Sequence, residues 1–371
     1  MSDSSYVFSS ESVSEGHPDK VCDFIADSIL DAYLAEDPRA RVACEVLCKS
    51  NVVVLAGEIT SKAEVNREEV ARRAIGQVGY TDAHECFHAS GVNVIQHVTR
   101  QSPNIKQGVD AETAADHEQG AGDQGIMFGY ATDETPELLP LPILLAHRLT
   151  RGLAGDRRTG THPWLRPDAK SQVSVRYQNG RPEAIERVLV STQHAPGVDQ
   201  QTIREYVEHD LAPRVLDGYM GTAVRFDVNP TGTFEIGGPA ADAGVTGRKI
   251  IVDTYGGAGR HGGGAFSGKD PSKVDRSGAY FCRYVARQIV TRGLARRAEI
   301  QVAYAIGLAK PVSIKVDTFG TGDAREAEAF VAREFDFRPA AIIDRLNLLR
   351  PIYRQTTNYG HFGKPGLPWE S

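Results

Sequence analysis

The stretch RVACEVLCKSNVVVLAGEIT, residues 41–60, contains two runs of apolar and β-branched residues separated by Ser50 and Asn51. Strand-forming runs joined by a short polar turn are typical of a β-hairpin. We therefore predict strands over 41–49 and 52–60. The same arrangement occurs twice more along the chain, and the spacing of the three copies decides the fold class.

Two further hairpins are predicted downstream. Ser171–Tyr177 alternates apolar and polar residues and turns at Asn179-Gly180, the strongest short hairpin signal, into Ala184–His194. Glu299–Gly307 alternates in the same way, and after a break the alternation resumes over Val312–Val316. The first strands of the three hairpins begin near residues 41, 171 and 299, at intervals of 130 and 128 residues.

Helical periodicity flanks each hairpin. Helices are predicted before the hairpins over Pro18–Ala35, Leu138–Gly152 and Pro271–Gly293, and after them over Ala63–Val78, Asp199–Leu216 and Ala324–Phe335. Any α+β chain alternates helices and strands, but the matching order and near-equal spacing favour a repeat. We predict an α+β fold of three similar domains, each a mostly antiparallel sheet with helices on one face, arranged with pseudo-threefold symmetry. The domains are placed at 1–110, 111–234 and 235–371, and they can be discontinuous and interleaved in space.

Composition excludes several classes of protein. The formal net charge of −6 provides no broad basic surface for nucleic acid or anionic lipid. Five scattered cysteines are too few for a secreted disulfide framework. The apolar run at 138–146 is interrupted by prolines and too short for a membrane helix, and Met1–Lys20 lacks the apolar stretch of a signal peptide. We expect a cytoplasmic protein with no nucleic-acid or membrane partner.

Glycine is over-represented, with 37 of 371 residues against roughly 7% in average proteins. Seven of these glycines lie within Gly256–Gly268. Glycine-dense loops bring backbone N–H groups close to an anion, and this loop runs into a predicted helix N-terminus, which favours phosphate. The alternative is a flexible surface loop, but the basic residues Arg260, Lys269 and Lys273 favour a phosphate site.

The spacing Gly263-x-x-x-x-Gly268-Lys269 matches a P-loop, yet Asp270 stands where a P-loop has the Ser or Thr that binds Mg²⁺. The loop also does not follow directly from a clean buried strand. We therefore predict a phosphate-binding loop that is not of the P-loop type. A P-loop-like kinase or NTPase stays the alternative hypothesis from another class, and a non-catalytic nucleotide-binding protein is a third.

Two adjacent cations, Arg248 and Lys249, precede an apolar run, Ile250–Val252, that is predicted as a strand. Such a pair is usually a solvated strand edge. Together with Lys269 and Lys273, however, it concentrates positive charge in an acidic chain, as the binding of a polyphosphate requires.

Asp19 and Asp275 each fall in the first turn of a predicted helix that begins with proline. The helix dipole stabilises a carboxylate there whatever the function, whereas Mg²⁺ commonly uses one or two carboxylates plus substrate phosphates. His17, beside Asp19, either donates to a leaving phosphate oxygen or only caps the helix. A second glycine motif at 120–125 ends the polar stretch Gln101–Gln119, which suits a mobile lid or an ordinary disordered loop.

Taken together, these motifs resemble the S-adenosylmethionine synthetase family, from about residue 8 to residue 360. The resemblance rests on seven runs in one order: SEGHPDK (14–20), GAGDQG (120–125), RPDAKSQ (166–172), GGP (237–239), TGRK (246–249), DTYGG (253–257) and GGGAFSGKDPSK (262–273). The glycine-rich run and HPDK are the most specific of them.

The resemblance implies three similarly folded domains and a homo-oligomer, a dimer or a dimer of dimers, with active sites at the subunit interface. It implies attack of the methionine sulfur on C5′ of ATP, with the displaced triphosphate hydrolysed to diphosphate and phosphate. Two Mg²⁺ per site and K⁺ are the implied ions. A thioether sulfur needs no general base, so catalysis depends on positioning and on stabilising the departing charge. A site rich in cations and without a Ser/His/Asp set fits that chemistry.

The resemblance also implies individual roles. The implied catalytic residues are His17, Lys170, Arg248 and Lys269, which also bind ATP together with Asp168, Phe234, Asp242, Lys249, Ala265 and, beside the adenosine, Asp123. The implied methionine site is lined by Glu58, Gln101, Asp242 and Lys273. The implied metal ligands are Asp19 and Asp275 for Mg²⁺ and Glu45 for K⁺.

Two positions depart from the family pattern. Thr233 stands where the family usually has Arg or Lys, which removes the cation expected at one ATP contact and leaves Phe234 to pack against adenine. Asn104 stands where Asp is common in the lid. Neither change affects the residues assigned to metal or phosphate.

Overall fold

The structure, a computed structural model, describes residues 5–100, 119–221 and 223–371. Its helices are α1 (Pro18–Glu36), α2 (Arg67–Val78), α3 (Leu141–Thr159), α4 (Gln200–Tyr206), α5 (Ala212–Val215), α6 (Gly238–Ala241), α7 (Ile250–Asp253), α8 (Val274–Thr291), α9 (Ala324–Glu334) and α10 (Pro339–Arg345). A π-helical turn (Val207–Leu211) joins α4 to α5, and a 3₁₀ turn covers Pro368–Glu370. Within these ranges no helix combines the length and apolar character that crossing a membrane demands.

The strands form three sheets. They are β1 (Ser5–Val13), β2 (Arg41–Lys49), β3 (Val52–Thr60), β4 (Asn93–Thr99), β5 (Gly125–Thr132), β6 (Leu165–Gln178), β7 (Arg181–His194), β8 (Arg225–Val228), β9 (Gly244–Val245), β10 (Arg297–Tyr304) and β11 (Ser313–Asp317). The strand orders are β1-β6-β7-β8, β11-β10-β5 and β4-β3-β2-β9. All described pairings are antiparallel except β3–β4 and β7–β8.

The predicted α+β class with mostly antiparallel sheets is confirmed. The hairpin β2–β3 has the predicted bounds, and the β6–β7 hairpin turns where Asn179 and Gly180 both take positive φ, 53° and 74°, as a tight hairpin turn requires. Each sheet also contains a strand from a distant part of the chain: β1 pairs with β6, β5 with β10 and β9 with β2. The domain ranges and the pseudo-threefold arrangement stay predictions.

Two expectations near the glycine-rich loop are wrong. Ile250–Val252 is not a strand but most of helix α7, because the N–H of Asp253 bonds to the carbonyl of Lys249 at 2.8 Å and closes a helical turn. Pro271 is not the first residue of α8. The chain first makes a turn in which the N–H of Lys273 bonds to the carbonyl of Asp270 at 3.0 Å, and the helix begins at Val274.

Helix α1 is buried on almost every side, and it carries aspartates at a regular interval. Asp19, Asp23, Asp27 and Asp31 are four residues apart and therefore share one face; all four are buried. We call these four residues the aspartate ladder. Buried carboxylates at this spacing repel one another unless each is compensated, so each has to bind donors from another part of the chain.

The first two members of the ladder bind the segment 245–247. Asp19 accepts a hydrogen bond from the backbone N–H of Val245 at 3.0 Å. Asp23 accepts from the N–H of Gly247 at 2.9 Å and from the ammonium of Lys20 at 2.9 Å.

The last two members bind more distant segments. Asp27 accepts from the N–H of Gly268 at 2.8 Å and from both terminal nitrogens of Arg276, each at 2.7 Å. Asp31 accepts from the N–H groups of Tyr353 and Arg354 at 3.0 and 2.9 Å. The ladder therefore connects α1 to the loops that contain the predicted phosphate-binding residues and to the C-terminal segment.

Replacing Asp27 by alanine should lower the free energy of unfolding by about 3–5 kcal/mol, because the fully buried guanidinium of Arg276 is left without its counter-charge. Equilibrium urea unfolding measures the loss. The control is Glu68→Ala, which removes an ion pair with Arg72 that is partly exposed and should cost less than about 1 kcal/mol. Equal effects of the two substitutions would contradict the role assigned to the Asp27–Arg276 pair.

Candidate active site

His17 and Asp19 lie at the N-terminal end of α1, and both side chains are buried. His17 caps the helix: its Nδ1 accepts a hydrogen bond from the N–H of Asp19 at 3.1 Å. Pro18, which has no N–H to satisfy, is the first helical residue. Burial and the nearby ammonium of Lys249 lower the pKa of His17 to about 3. The ring is therefore neutral, and since Nδ1 is an acceptor its proton is on Nε2.

The turn at 246–249 brings the two predicted cations to Asp19. The ammonium of Lys249 donates to Oδ2 of Asp19 at 2.6 Å, and the guanidinium of Arg248 lies 3.6 Å from Oδ1. Burial raises the pKa of Asp19, but the hydrogen bonds from Lys249 and Val245 outweigh it and lower the pKa. A predicted metal ligand and two predicted phosphate-binding residues thus form one cluster.

The same turn packs against the glycine-rich loop. Gly247 has a φ of 76°, and a Cβ at this position would lie only 2.4 Å from the Cβ of Ala265. Glycine is required here both by its conformation and by the close approach. The contact places Ala265 beside the segment that contains Arg248 and Lys249.

Asp275 is the point at which the two glycine motifs meet. The ammonium of Lys269 donates to Oδ2 of Asp275 at 2.7 Å. A Cβ at Gly264 would lie 2.3 Å from Oδ1, and one at Gly125, the last residue of the second motif, would lie 3.9 Å from the same atom. Asp275 is in the first turn of α8, as predicted.

Asp270 has a structural role, which argues against a P-loop. Its Oδ2 accepts from the N–H of Val42 at 2.7 Å, and its Oδ1 accepts from the N–H of Ser272 at 2.9 Å. Its carboxylate also pairs with Lys273. The glycine-rich loop follows α7 rather than a strand, so neither the strand nor the hydroxyl that a P-loop needs is in place.

Asp168 lies in β6 and is buried. Its Oδ2 accepts from the N–H of Gly238 at 2.8 Å, while its buried Oδ1 has no hydrogen-bond partner in the described part of the chain. Burial raises the pKa of Asp168 to about 6. An acceptor left without a donor is costly, and an O–H or N–H of a ligand would supply that donor.

Three other predicted ATP residues lie around Asp168. Lys170 and Asp242 are exposed, and both are close enough to affect Asp168: the charge of Lys170 lowers the pKa of Asp168 and that of Asp242 raises it. The charge of Lys170 also lowers the pKa of His17. Phe234 is half-buried and is held by His194: the N–H of Phe234 donates to Nε2 of His194 at 3.0 Å, and the N–H of His194 donates to the carbonyl of Phe234 at 3.0 Å.

Glu45 and Glu58 lie on neighbouring strands, β2 and β3, and both are exposed on the outer face of their sheet. Desolvation raises the pKa of the Glu45 carboxyl group, and the negative charges of Asp23 and Glu58 raise it further. The positive charge of Lys269 lowers it but does not cancel the increase. The predicted K⁺ ligand, one methionine residue and one phosphate residue are therefore close enough to interact electrostatically.

Two predicted residues are not placed in this cluster. Asp123 is exposed, and its carboxylate accepts only from the N–H of Gln124, at 2.8 Å, among the residues described. Gln101 and most of the predicted lid, 101–118, lie outside the described residues.

The carboxylates at the site suit a metal that also binds substrate. Asp19 and Asp275 provide oxygen donors, which Mg²⁺ prefers. No group of three His, Cys, Asp or Glu side chains that could hold a metal ion occurs across 5–100, 119–221 and 223–371. Two separate carboxylates without a complete protein cage fit Mg²⁺, which usually keeps positions for water and substrate phosphate.

The buried supports of the site were missed by sequence reasoning. Lys20 lies between Asp23 and Asp253, with its ammonium 2.9 and 2.6 Å from their carboxylates, and Asp27 holds Arg276. Burial opposes the charge on Lys20, but the two aspartates outweigh it and raise its pKa. The available signal was the four-residue spacing of aspartates in a helix that is otherwise largely apolar.

Comparisons with known proteins show which proteins the chain is similar to. Three family models match in order along the chain: the S-adenosylmethionine synthetase N-terminal domain over residues 5–103, the central domain over 118–234 and the C-terminal domain over 236–371. The S-adenosylmethionine synthase of Akkermansia muciniphila is 58% identical, over 98% of this chain and 95% of that protein. That of Desulforudis audaxviator is 55% identical with the same coverage of both chains.

The raised pKa of Asp168 gives a pH test. Between the pKa of an unfolded aspartate, about 3.9, and about 6, the folded state binds more protons than the unfolded state, so this residue lowers stability as pH rises. Asp168→Asn removes that dependence. The measured quantity is the free energy of unfolding of the variant minus that of the wild type. This difference should increase by up to about 3 kcal/mol between about pH 4 and pH 6 and stay constant at higher pH.

Urea unfolding at a series of pH values measures this difference. Asp270→Asn is the control, because the lowered pKa of Asp270 places its titration at lower pH and its difference from the wild type should be flat above about pH 5. A pH-independent difference for Asp168→Asn would show that folding does not raise the pKa of Asp168.

Proposed function

The chain belongs to the S-adenosylmethionine synthetase family and forms S-adenosylmethionine from ATP and methionine; on that premise we propose how its residues divide the work. The observation that carries the proposal is that the predicted phosphate-site residues pair with the predicted Mg²⁺ carboxylates: His17, Arg248 and Lys249 lie at Asp19, and Lys269 lies at Asp275. The reaction needs this concentration of charge, because the whole triphosphate leaves when the sulfur attacks C5′.

We propose that Arg248, Lys249 and Lys269 bind the triphosphate and stabilise the charge that develops as the C5′–O bond breaks. The ion pairs with Asp19 and Asp275 hold the two ammonium groups in position, so little reorganisation is needed when a polyanion binds. A thioether sulfur attacks with its own lone pair and releases no proton. The protein therefore has to align the sulfur and C5′ and accept the charge of the leaving group.

We propose that His17 acts as a neutral hydrogen-bond donor to the triphosphate oxygen at the breaking bond. Its Nδ1 is occupied by the N–H of Asp19, which leaves Nε2–H as the donor. A neutral donor stabilises developing negative charge without moving a proton, since the triphosphate leaves as an anion.

We propose that adenosine lies by Asp168, with its ring against Phe234 and Lys170 and Asp242 beside it. The buried Oδ1 of Asp168 accepts a hydrogen bond from the nucleoside, and Asp123 is assigned to the same end of ATP. Ala265 contacts the phosphates through its backbone, beside Gly247. Thr233, exposed in the loop before Phe234, provides no cation, so the adenine end depends on these residues alone.

We propose that methionine binds near the outer face of the β2–β3 hairpin. The side chain of Glu58 is exposed and makes no hydrogen bond or ion pair with another described residue, so its carboxylate is available for the methionine ammonium. Lys273 and Asp242 are assigned to the same substrate, and Gln101 completes the set. Lys273 is already paired with buried Asp270, which fixes the position of its ammonium.

The metal ions of the family fit the donors that are present. We propose that Asp19 and Asp275 hold two Mg²⁺ and that Glu45 holds K⁺. When bound, Mg²⁺ would neutralise phosphate charge that the lysines and Arg248 leave uncompensated. The K⁺ site at Glu45 would act at a distance, through the neighbouring Lys269.

We propose that the protein is a homo-oligomer, a dimer or a dimer of dimers, in the cytoplasm. Leu47 and Ile95 are 40% and 38% exposed on the outer face of the β4-β3-β2 sheet, in register with Val54 between them. An apolar sheet face of this kind is typical of a protein interface. Glu45 and Glu58 lie on the same face, so a second subunit that covers it would complete the methionine and K⁺ sites.

The proposal predicts that Lys269→Ala lowers turnover about 10²–10³-fold, the usual loss when one donor to a developing charge is removed, while the far-ultraviolet circular dichroism and thermal midpoint stay near those of the wild type. Products are identified after incubation with ATP, methionine, Mg²⁺ and K⁺. The wild type should yield S-adenosylmethionine, diphosphate and phosphate.

The matched control is Lys310→Ala, which removes an exposed lysine of the β10–β11 loop and should leave turnover unchanged. A near-normal rate for Lys269→Ala would contradict its triphosphate role. ADP as a product would instead indicate phosphoryl transfer, and no turnover by the wild type would indicate a nucleotide-binding protein without this activity.

A further inference from the structure

A second basic cleft lies on a different part of the molecule from the triphosphate cluster. It has a volume of about 550 Å³ and lies between α1, α3 and the segment 351–364. Its lining includes the cationic side chains of Arg151, Arg158, Arg354 and Lys364, with Glu15 as the acidic side chain among them. The volume is within the range of small-molecule sites, about 300–1,000 Å³.

Most of the positive charge in this cleft is uncompensated. Glu15 pairs with Arg158 and also with Arg157, so its charge is already used. Within the described ranges, Arg151, Arg354 and Lys364 have no carboxylate at ion-pair distance. Burial lowers the pKa of Lys364, and Arg151 and Lys20 lower it further, which is the mark of a positive local potential.

The cationic groups are also held in place. The guanidinium of Arg151 lies 5.3 Å from the ring centre of Tyr359, and that of Arg354 lies 5.1 Å from the ring centre of Phe24. The ammonium of Lys364 donates to three backbone carbonyl groups, at 2.9, 2.9 and 2.6 Å. Stacking on a ring supports an arginine without occupying all five of its donors, so the guanidinium groups keep donors for a ligand.

We propose that this cleft binds a small molecule that carries phosphate groups. Guanidinium groups form paired hydrogen bonds to phosphate, and those of Arg151 and Arg354 would compensate about two negative charges. Phe24 and Tyr359 provide ring faces, and the volume leaves room for a nucleoside beside the phosphates. None of the residues assigned to ATP, methionine or metal lines the cleft, so this site goes beyond the proposed active site and does not depend on it.

The test measures how many molecules of labelled diphosphate bind to each full-length chain, by equilibrium dialysis. The wild type is compared with Arg151→Gln/Arg354→Gln and with the control Arg292→Gln/Arg325→Gln. The control removes the same charge from exposed positions, one of them, Arg292, also stacked on an aromatic ring. The cleft variant should bind one diphosphate fewer per chain than the wild type or the control, with cleft affinity reduced about 100-fold or more.

The single variant Arg151→Gln protects the test against loss of folding. In the described part of the chain the side chain of Arg151 makes no hydrogen bond or ion pair and stacks on the ring of Tyr359. Its replacement should therefore leave the thermal midpoint unchanged and weaken cleft binding about tenfold. If the active site does not bind diphosphate, the wild type, the cleft variant and the control each bind one diphosphate fewer per chain. The difference between the cleft variant and the other two proteins stays the same.

Repeating the dialysis with ADP separates the two sources of phosphate. Tighter binding of ADP than of diphosphate at the cleft would identify a nucleotide, and equal binding would identify free diphosphate. Identical stoichiometry and affinity in the wild type and the cleft variant, for both probes, would overturn the proposal.

Discussion

The burial of four carboxylates along one face of α1 constrains the position of every loop that carries the site. Each member of the aspartate ladder has to be compensated, and the donors come from chain segments more than 200 residues away. Since an unpaired buried charge costs several kcal/mol, the loops at 245–249 and 266–270 cannot move away from α1 without that cost. Helix α1 therefore positions the loops of the phosphate site.

The same constraint explains how an acidic chain concentrates cations. Lys249 and Lys269 are held by carboxylates of helix first turns, Asp19 in α1 and Asp275 in α8. The helix N-termini favour those carboxylates, and the carboxylates in turn keep two ammonium groups in place. The positive groups that bind a polyanion are therefore in position before it arrives. Such preorganisation matters here because the nucleophile transfers no proton, so catalysis depends on positioning and on stabilising the charge of the leaving group.

Local patterns predicted the secondary structure well and the tertiary supports poorly. The hairpin at 41–60 was predicted to the residue, because alternation and a polar turn determine both strands within twenty residues. Ile250–Val252 was predicted as a strand and is helical, since a short apolar run has no decisive period. Asp19 was identified through HPDK, whereas Asp23, Asp27 and Lys20 were missed, because their partners are distant in sequence and only the fold brings them together.

Hydrogen–deuterium exchange of the full-length protein tests the ladder most directly, by comparing the wild type with Asp23→Ala and Asp31→Ala. If each aspartate holds its own segment, Asp23→Ala will speed exchange of the amides at 245–249 and leave 353–354 protected, because it removes the acceptor of the Gly247 N–H. Asp31→Ala will do the reverse. Equal exchange at 245–249 in the wild type and Asp23→Ala would contradict the claim that α1 positions the phosphate-binding loops.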